Sequence, residues 1–372
     1  MTQRHGAAPW LALLLAGLAA CSADKPKPTP LENYAPKISA SQVWQARVGS
    51  VGFPMVVAVR DGTFFVAGGD GELQALRADT GAVVWRASVG GAIAAGVGSD
   101  GRYTSVVTRG NEVVTFDSGR ELWRKRVPSA VVTPPLVAGE RVFVMGVDRA
   151  VHAFDAIDGR RLWDLAKPGD ALTLAQAGVL AAFRNTLLVG QGQRLTAVDP
   201  LRGTVQWEVP IASPRGTNEV ERLADLVGPM ARSGERFCVR AFQSAVGCAD
   251  ASRGSVLWSR TVGGVQAVAG DADLVFGADA SDRITAWRAS SGDVVWTNEK
   301  LLYRGLGGAQ VLGKSLVFGD AEGFVHFLSA ATGEQQLRLA TGGKGFVGAP
   351  AVAGDTLLLT NKEGGLFAFR LP

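Results

Sequence analysis

The chain has 372 residues, a formal net charge of +4 and a hydrophobic fraction of 47%. That apolar content excludes disorder for most of the chain. The Lys and Arg residues are scattered and form no basic stripe interleaved with aromatic residues, which argues against nucleic-acid binding.

The N-terminus has the pattern of a secretory leader. Its apolar run from Trp10 to Ala20 is too short for a membrane span, which needs about 20 residues. Leu18-Ala19-Ala20-Cys21 resembles the bacterial lipobox, which implies cleavage before Cys21 and lipidation of its thiol. Because Ser22 rather than Asp follows, the resemblance implies sorting to the outer membrane. The alternative is an ordinary signal peptide cleaved after Ala20, with Cys21 merely adjacent.

The sequence therefore predicts three segments: a lipoprotein signal peptide at 1–20, a disordered tether at 21–38 and a folded domain at 39–372. The tether prediction depends on the Pro, Lys, Thr and Ser content from Ser22 to about Ile38. Such a composition buries too little apolar surface to fold alone.

A short pattern recurs along the folded domain: Asp or a substitute, then a turn ending in Gly, then Trp four residues after the Gly. Successive anchor positions are separated by 38 to 51 residues. A period near 40 residues with four short strands in each unit is typical of a β-propeller. The anchors are Trp44, Trp85, Trp123, Trp163, Trp207, Trp258 and Trp296, with Leu337 at the eighth position.

Each unit is predicted to be a four-stranded antiparallel blade with Asp-Gly and Gly-rich hairpin turns. The segment around Trp44 is an anchor strand without its three preceding strands, and the chain ends at Pro372 before a fourth strand. We expect these two ends to form one blade, so that the N-terminal strand pairs with the C-terminal blade and closes an all-β ring of eight blades. The tryptophans are expected to pack between neighbouring blades.

Two further cysteines fall on neighbouring strands of one unit. Alignment to the repeat places Cys238 and Cys248 nearly opposite each other. An oxidising periplasm permits a disulfide there. Both residues could instead be small buried hydrophobes, and the disulfide is favoured.

The repeat resembles that of pyrroloquinoline-quinone propellers, so a quinoprotein dehydrogenase is one functional alternative. Such enzymes use converging oxygen ligands for Ca²⁺ and a vicinal disulfide. The sequence has no Cys-Cys pair and no haem-attachment motif. His152 and His326 occupy equivalent repeat positions, where blade packing explains them better than metal ligation. No cofactor, metal or catalytic residue is predicted.

The lipobox, the Pro-rich segment and the repeat type together resemble the BamB family, the lipoprotein component of the outer-membrane β-barrel assembly machine. The segment 219–225, Glu-Val-Glu-Arg-Leu-Ala-Asp, looks like the family's Glu-Ile-Asp/Glu-Arg-Leu-x-Asp loop. The segment 172–175, Leu-Thr-Leu-Ala, corresponds to the family's Leu-Ser-Leu-Arg. The resemblance implies a non-enzymatic scaffold that contacts the periplasmic domains of BamA and positions unfolded outer-membrane barrel proteins. The implied contact residues are Leu172, Leu174, Glu221, Arg222 and Asp225.

Two departures from the family pattern bear on that contact. Ala175 stands where the family has Arg, and Val227 stands where a second Asp can follow. The contact is therefore expected to be more apolar, or to depend more on Arg222 and Asp225. Two alternatives stay open: Leu172 and Leu174 as an ordinary strand edge beside a solvated loop, and a generic ligand-binding or adhesion propeller.

Overall fold

The computed structural model describes residues 26–167, 174–213, 218 and 223–372, and 32 β-strands run through them. All of these strands fall into eight four-stranded antiparallel sheets, which confirms the predicted all-β, eight-bladed propeller. The first strand is β1 (Ser41–Arg47). Among the described residues, no helix is long and apolar enough to cross a membrane.

The first four blades are simple meanders. Their strands are, for blade 1, β2 (Ala58–Arg60), β3 (Thr63–Ala67), β4 (Glu72–Arg77) and β5 (Val83–Ser88); for blade 2, β6 (Gly98–Ser99), β7 (Tyr103–Val107), β8 (Glu112–Asp117) and β9 (Arg120–Arg126); for blade 3, β10 (Leu136–Ala138), β11 (Arg141–Met145), β12 (Val151–Asp155) and β13 (Arg161–Leu165); and for blade 4, β14 (Leu180–Phe183), β15 (Thr186–Gln191), β16 (Arg194–Val198) and β17 (Val205–Pro210).

Blades 5 to 7 repeat this order, and blade 8 completes the ring. Their strands are, for blade 5, β18 (Leu226–Ser233), β19 (Arg236–Ala241), β20 (Ala245–Asp250) and β21 (Ser255–Thr261); for blade 6, β22 (Ala269–Gly270), β23 (Leu274–Ala278), β24 (Ile284–Arg288) and β25 (Val294–Asn298); for blade 7, β26 (Gln310–Leu312), β27 (Ser315–Gly319), β28 (Phe324–Ser329) and β29 (Gln335–Ala340); and for blade 8, β30 (Phe346–Ala353), β31 (Thr356–Asn361) and β32 (Gly365–Arg370) with β1.

The ring closes through the two ends of the chain, as predicted. In blade 8, β1 pairs antiparallel with β32, with Ser41 opposite Arg370 and Arg47 opposite Gly365. The innermost strand of each blade contacts the innermost strand of the next, from β2 through β30 and back to β2. The array therefore leaves no open blade at either end.

The anchor tryptophans join neighbouring blades. In blade 2, Trp123 stacks on the turn of blade 3, where a Cβ atom built on Gly159 would lie 2.6 Å from the indole Cδ2. Gly159 has a φ of +70°, so the lack of a Cβ atom both permits this backbone conformation and leaves room for the indole. Five indole Nε1 atoms donate to backbone oxygens of the next blade: Trp44 to Ala78 at 2.8 Å, Trp123 to Ala156 at 2.9 Å, Trp163 to Pro200 at 3.0 Å, Trp258 to Ala289 at 2.8 Å and Trp296 to Ala330 at 2.9 Å.

Cys238 and Cys248 lie directly opposite each other on β19 and β20 and form a disulfide, with their Cα atoms 4.0 Å apart. Both residues are buried in a cluster that also contains Trp258. The bond therefore crosses the two middle strands of blade 5.

Part of the segment predicted as a tether contacts the ring. Residues 29–38, which we call the strap, lie along the outer strand β29 of blade 7. The amide of Lys37 donates to the carbonyl of Gln336 at 2.8 Å, and Leu31 packs against the core cluster of blades 6 and 7. The average composition of 21–38 hides these isolated apolar residues, which find partners on the ring.

Candidate partner-binding site

The described ends of the two connections that contain the family-like segments lie on one face of the ring. In an antiparallel meander, alternate turns lie at the same end of the sheet. The connection from one blade to the next therefore leaves from the end that carries the turn between the second and third strands. For blades 3 to 5, this end carries the turns 146–150 and 192–193 and the described ends of the connections 166–179 and 211–225. We call this end of the ring the connection face.

The structure brings together the two predicted contact residues that it describes. Leu174 and Asp225 line one depression between blades 3, 4 and 5, with Met145 and Arg149 also on its wall. Leu174 is half-buried. The other predicted contact residues lie outside the described residues: Leu172, Glu221 and Arg222.

An ion pair holds the end of the connection 211–225. The Nη2 atom of Arg149 lies 3.0 Å from Oδ1 of Asp225, and each side chain is only 16% exposed. The carbonyl of Asp225 also accepts a hydrogen bond from the amide of Phe242 at 3.0 Å, and Leu226 donates to the carbonyl of Gly192 at 2.9 Å. Asp225 and Leu226 together are thus bonded to blades 3, 4 and 5.

A second ion pair holds the beginning of the connection 166–179. Lys167 lies 2.8 Å from Glu208 on β17, and Arg194 on β16 also pairs with this carboxylate. Burial opposes ionisation of Glu208, but the hydrogen bond and charge of Lys167, together with Arg194, hold its pKa below its ordinary value. Each of the two connections is therefore attached to the ring by a partly buried carboxylate.

The two departures from the family pattern occupy different environments. Ala175 is exposed beside Leu174. Val227 is 4% exposed and lines both the depression and the mouth of the central channel. Val227 lies opposite the fully buried Arg240 in the pairing of β18 with β19. The nitrogens of that guanidinium already donate to the backbone carbonyls of Gln266, Gly263 and Ala278, so an apolar residue suits position 227.

Sequence reasoning missed Arg149 and Lys167. Arg149 sits in the β11–β12 turn with a φ of +63°, and its partner Asp225 is 76 residues away. Neither residue belongs to the Asp-Gly-Trp repeat, so no spacing could have indicated them. The Gly146-x-Asp148-Arg149 turn was the one local signal.

His152 and His326 each pair with a carboxylate, although the two carboxylates come from different places in the repeat: Asp164 is on the fourth strand of blade 3, and Asp320 follows the second strand of blade 7. Nδ1 of His152 lies 2.7 Å from Asp164, and Nε2 of His326 lies 2.9 Å from Asp320. In the part of the chain that the structure describes, no group of three or more His, Cys, Asp or Glu side chains could hold a metal ion.

The central channel opens on the connection face between the innermost strands. The described residues that line its mouth are apolar, glycine or amide side chains with one cation, Lys362, and include no carboxylate. A Ca²⁺-bound quinone needs acidic and amide oxygens that converge on the metal. The residues present therefore do not fit such a cofactor.

Sequence comparison with known proteins identifies relatives along nearly the whole chain. The family model described as outer membrane protein assembly factor BamB matches residues 37–95 and 69–298. The chain is 36% identical to BamB of Burkholderia pseudomallei, over 100% of this chain and 99% of that protein. It is 34% identical to BamB of Bordetella pertussis, over 96% of each.

Solved structures show how widely the fold is shared. BamB from Moraxella catarrhalis superposes with a TM-score of 0.81 at 21% identity, covering 89% of this chain and 100% of that chain. Quinohemoprotein alcohol dehydrogenase from Comamonas testosteroni superposes with a TM-score of 0.68 at 14% identity, covering 89% and 76%. At these identities the likeness concerns the fold alone.

Fold and repeat together define an eight-bladed β-propeller of pyrroloquinoline-quinone-like repeats, a class that contains both dehydrogenases and outer membrane protein assembly factors. Identity over the full length then decides between them. The chain belongs to the BamB family of outer membrane protein assembly factors.

Proposed function

We propose that this outer membrane protein assembly factor acts as a non-enzymatic scaffold of the β-barrel assembly machine. A lipid on Cys21 anchors it at the periplasmic side of the outer membrane. The connection face of blades 3 to 5 binds the periplasmic domains of BamA. The observation that carries this assignment is the depression lined by Leu174 and Asp225, formed where the two connections meet.

The ion pairs supply a pre-organised surface. Because Arg149 holds Asp225 and Glu208 holds Lys167, the bases of both connections are ordered before a partner arrives. Ordering a loop in advance lowers the entropic cost of association. In this arrangement Asp225 positions the connection, while Leu174 and the exposed Ala175 offer apolar contact area.

A pull-down with the periplasmic domains of BamA tests the proposal. Leu174→Asp places a charge on the apolar wall and is expected to weaken binding by about tenfold, since a central apolar contact is typically worth more than 1 kcal/mol. The matched control is Ile157→Asp. Ile157 is 57% exposed in the β12–β13 turn of blade 3, on the opposite face of the ring.

Equal recovery of BamA domains by the two variants would refute the docking site. A third variant, Asp225→Asn, should lower affinity while leaving the far-UV circular dichroism spectrum unchanged. Dye reduction on addition of pyrroloquinoline quinone and Ca²⁺ would contradict the non-enzymatic part of the proposal.

A further inference from the structure

The strap determines where the chain leaves the ring toward its N-terminus. At its start, the amide of Thr29 donates to the carbonyl of Leu302 at 2.9 Å. The carbonyl of Thr29 accepts a hydrogen bond from Nη1 of Arg304 at 3.2 Å. Leu302 and Arg304 belong to the connection between blades 6 and 7, so the strap begins on the connection face.

Arg304 is a firm attachment point. Its side chain is 3% exposed, and its Nε donates to the fully buried carboxylate of Asp320 at 2.8 Å. Its Nη2 pairs with Glu322. A guanidinium held by two carboxylates has little freedom, and the bond to the carbonyl of Thr29 therefore has a fixed direction.

Contacts continue along the whole strap. Lys300 pairs with Glu32 at 2.7 Å, and Arg338 donates to the carbonyl of Glu32 at 3.0 Å while its guanidinium lies over the ring of Tyr34 at 5.7 Å. Lys37 pairs with Glu334 at 2.8 Å. The exposed ion pairs contribute little each, but the backbone bonds and apolar contacts hold the strap over ten residues.

This attachment shortens the tether to the proposed lipid. Thr29 lies eight positions after Cys21, and a chain of that length spans at most about 26–29 Å when fully extended. A tether that ran free to Ser41 would span up to about 66–72 Å. The shorter reach keeps the blade 6–7 side of the ring near the bilayer, while the longer one would let the ring turn freely.

We propose that the strap orients the ring, so that the rim of blades 6 and 7 faces the lipid bilayer and the depression of blades 3 to 5 faces away from it. This inference rests on the lipid anchor proposed above. It adds a lipid surface as the partner of a defined part of the rim. The anchored scaffold then presents the depression of blades 3 to 5 to the periplasm without a second membrane contact.

Fluorescence quenching in proteoliposomes tests the orientation. The full-length lipidated protein is labelled with bimane at Glu299→Cys, three residues after Trp296 in blade 6. The matched control is Arg126→Cys, three residues after Trp123 in blade 2, four blades away in the ring of eight. Both side chains are exposed on the connection face, and the two native ring cysteines are joined in the disulfide. The vesicles carry a nitroxide on the lipid headgroup.

We expect the label at position 299 to be quenched several-fold more than the label at position 126. Leu31→Asp, which places a carboxylate against the apolar cluster, should release the strap and equalise the two positions. Asn33→Asp, at an exposed strap residue, should preserve the difference.

Three results would overturn the inference. Equal quenching in floated wild-type protein, or stronger quenching at position 126, would refute the orientation while leaving the anchor and the scaffold function intact. A difference that survives Leu31→Asp would refute the role of the strap. Failure of the protein to float with the vesicles would remove the anchor and with it the orientation, whereas recovery of BamA domains in detergent would still report on the docking site.

Discussion

The packing of an anchor tryptophan against the glycine turn of the next blade can be tested by two glycine substitutions in blade 3. Gly159 has a φ of +70°, and a Cβ atom there would lie 2.6 Å from the ring of Trp123. Gly139 has a φ of +58°, and a Cβ atom there would meet nothing within 4 Å. Gly159→Ala and Gly139→Ala therefore share the backbone penalty and differ in the contact with Trp123.

The expected destabilisation follows from these two terms. A non-glycine residue in the left-handed region costs about 1–2 kcal/mol, which is the whole expectation for Gly139→Ala. Overpacking against a well-packed ring adds about 1–3 kcal/mol, so Gly159→Ala should lower the free energy of unfolding by about 2–5 kcal/mol. The indole cannot easily move away from the added methyl group, because Trp123 is also held by its hydrogen bond to the carbonyl of Ala156.

Urea unfolding followed by far-UV circular dichroism measures the difference without depending on tryptophan fluorescence. The variant Trp123→Leu with Gly159→Ala serves as the relief test, since the smaller side chain frees the space at the seat. Equal destabilisation by the two glycine variants would refute the packing argument. The argument would also be refuted if Gly159→Ala lowered the free energy of unfolding as much in the Trp123→Leu background as in the wild-type protein.

Two further outcomes are expected. The disulfide between Cys238 and Cys248 closes a loop of sequence separation 10, so its reduction should lower the free energy of unfolding by about 3 kcal/mol. Urea midpoints with and without reductant measure this change, and the variant with both cysteines replaced by Ala should not respond to reductant. An unchanged midpoint, with both thiols titrated as free, would contradict the estimate. Burial lowers the pKa of His326 below 6.5, so the unfolded state takes up a proton first as the pH falls, and stability present above about pH 6.5 is lost on acidification. His326→Gln should flatten that part of the curve of unfolding free energy against pH, and an unchanged slope would show that another group is responsible.

The architecture was predictable because its determinants are local and repeated. The turn of Gly159 and the ring of Trp123 come from adjacent units with the same spacing, and each further unit repeats the evidence. Closure followed from counting strands, since Trp44 lacked three strands and the last unit lacked one. A repeat array thus states its fold several times within one sequence.

The site and the strap were less predictable because their contacts join distant single residues. Arg149 reaches Asp225 across 76 positions, and Arg304 reaches Thr29 across 275. Leu31 is a lone apolar residue in a segment whose average composition predicts disorder, and an average over the segment does not reveal a single apolar residue. Contacts of this kind are specified by the three-dimensional path of the ring, which a one-dimensional pattern does not contain.

Leu337 shows how the ring and the strap depend on each other. A tryptophan at an anchor position needs a glycine turn between the third and fourth strands of the next blade. In blade 8 those strands are β32 and β1, which come from opposite ends of the chain, so no turn joins them. Leu337 instead packs in a cluster with Phe369, against which Ile38 and Leu371 also lie. The residues just before β1 therefore fill the place of the missing seat, and the strap that holds them on blade 7 brings β1 to the strand that it must pair with.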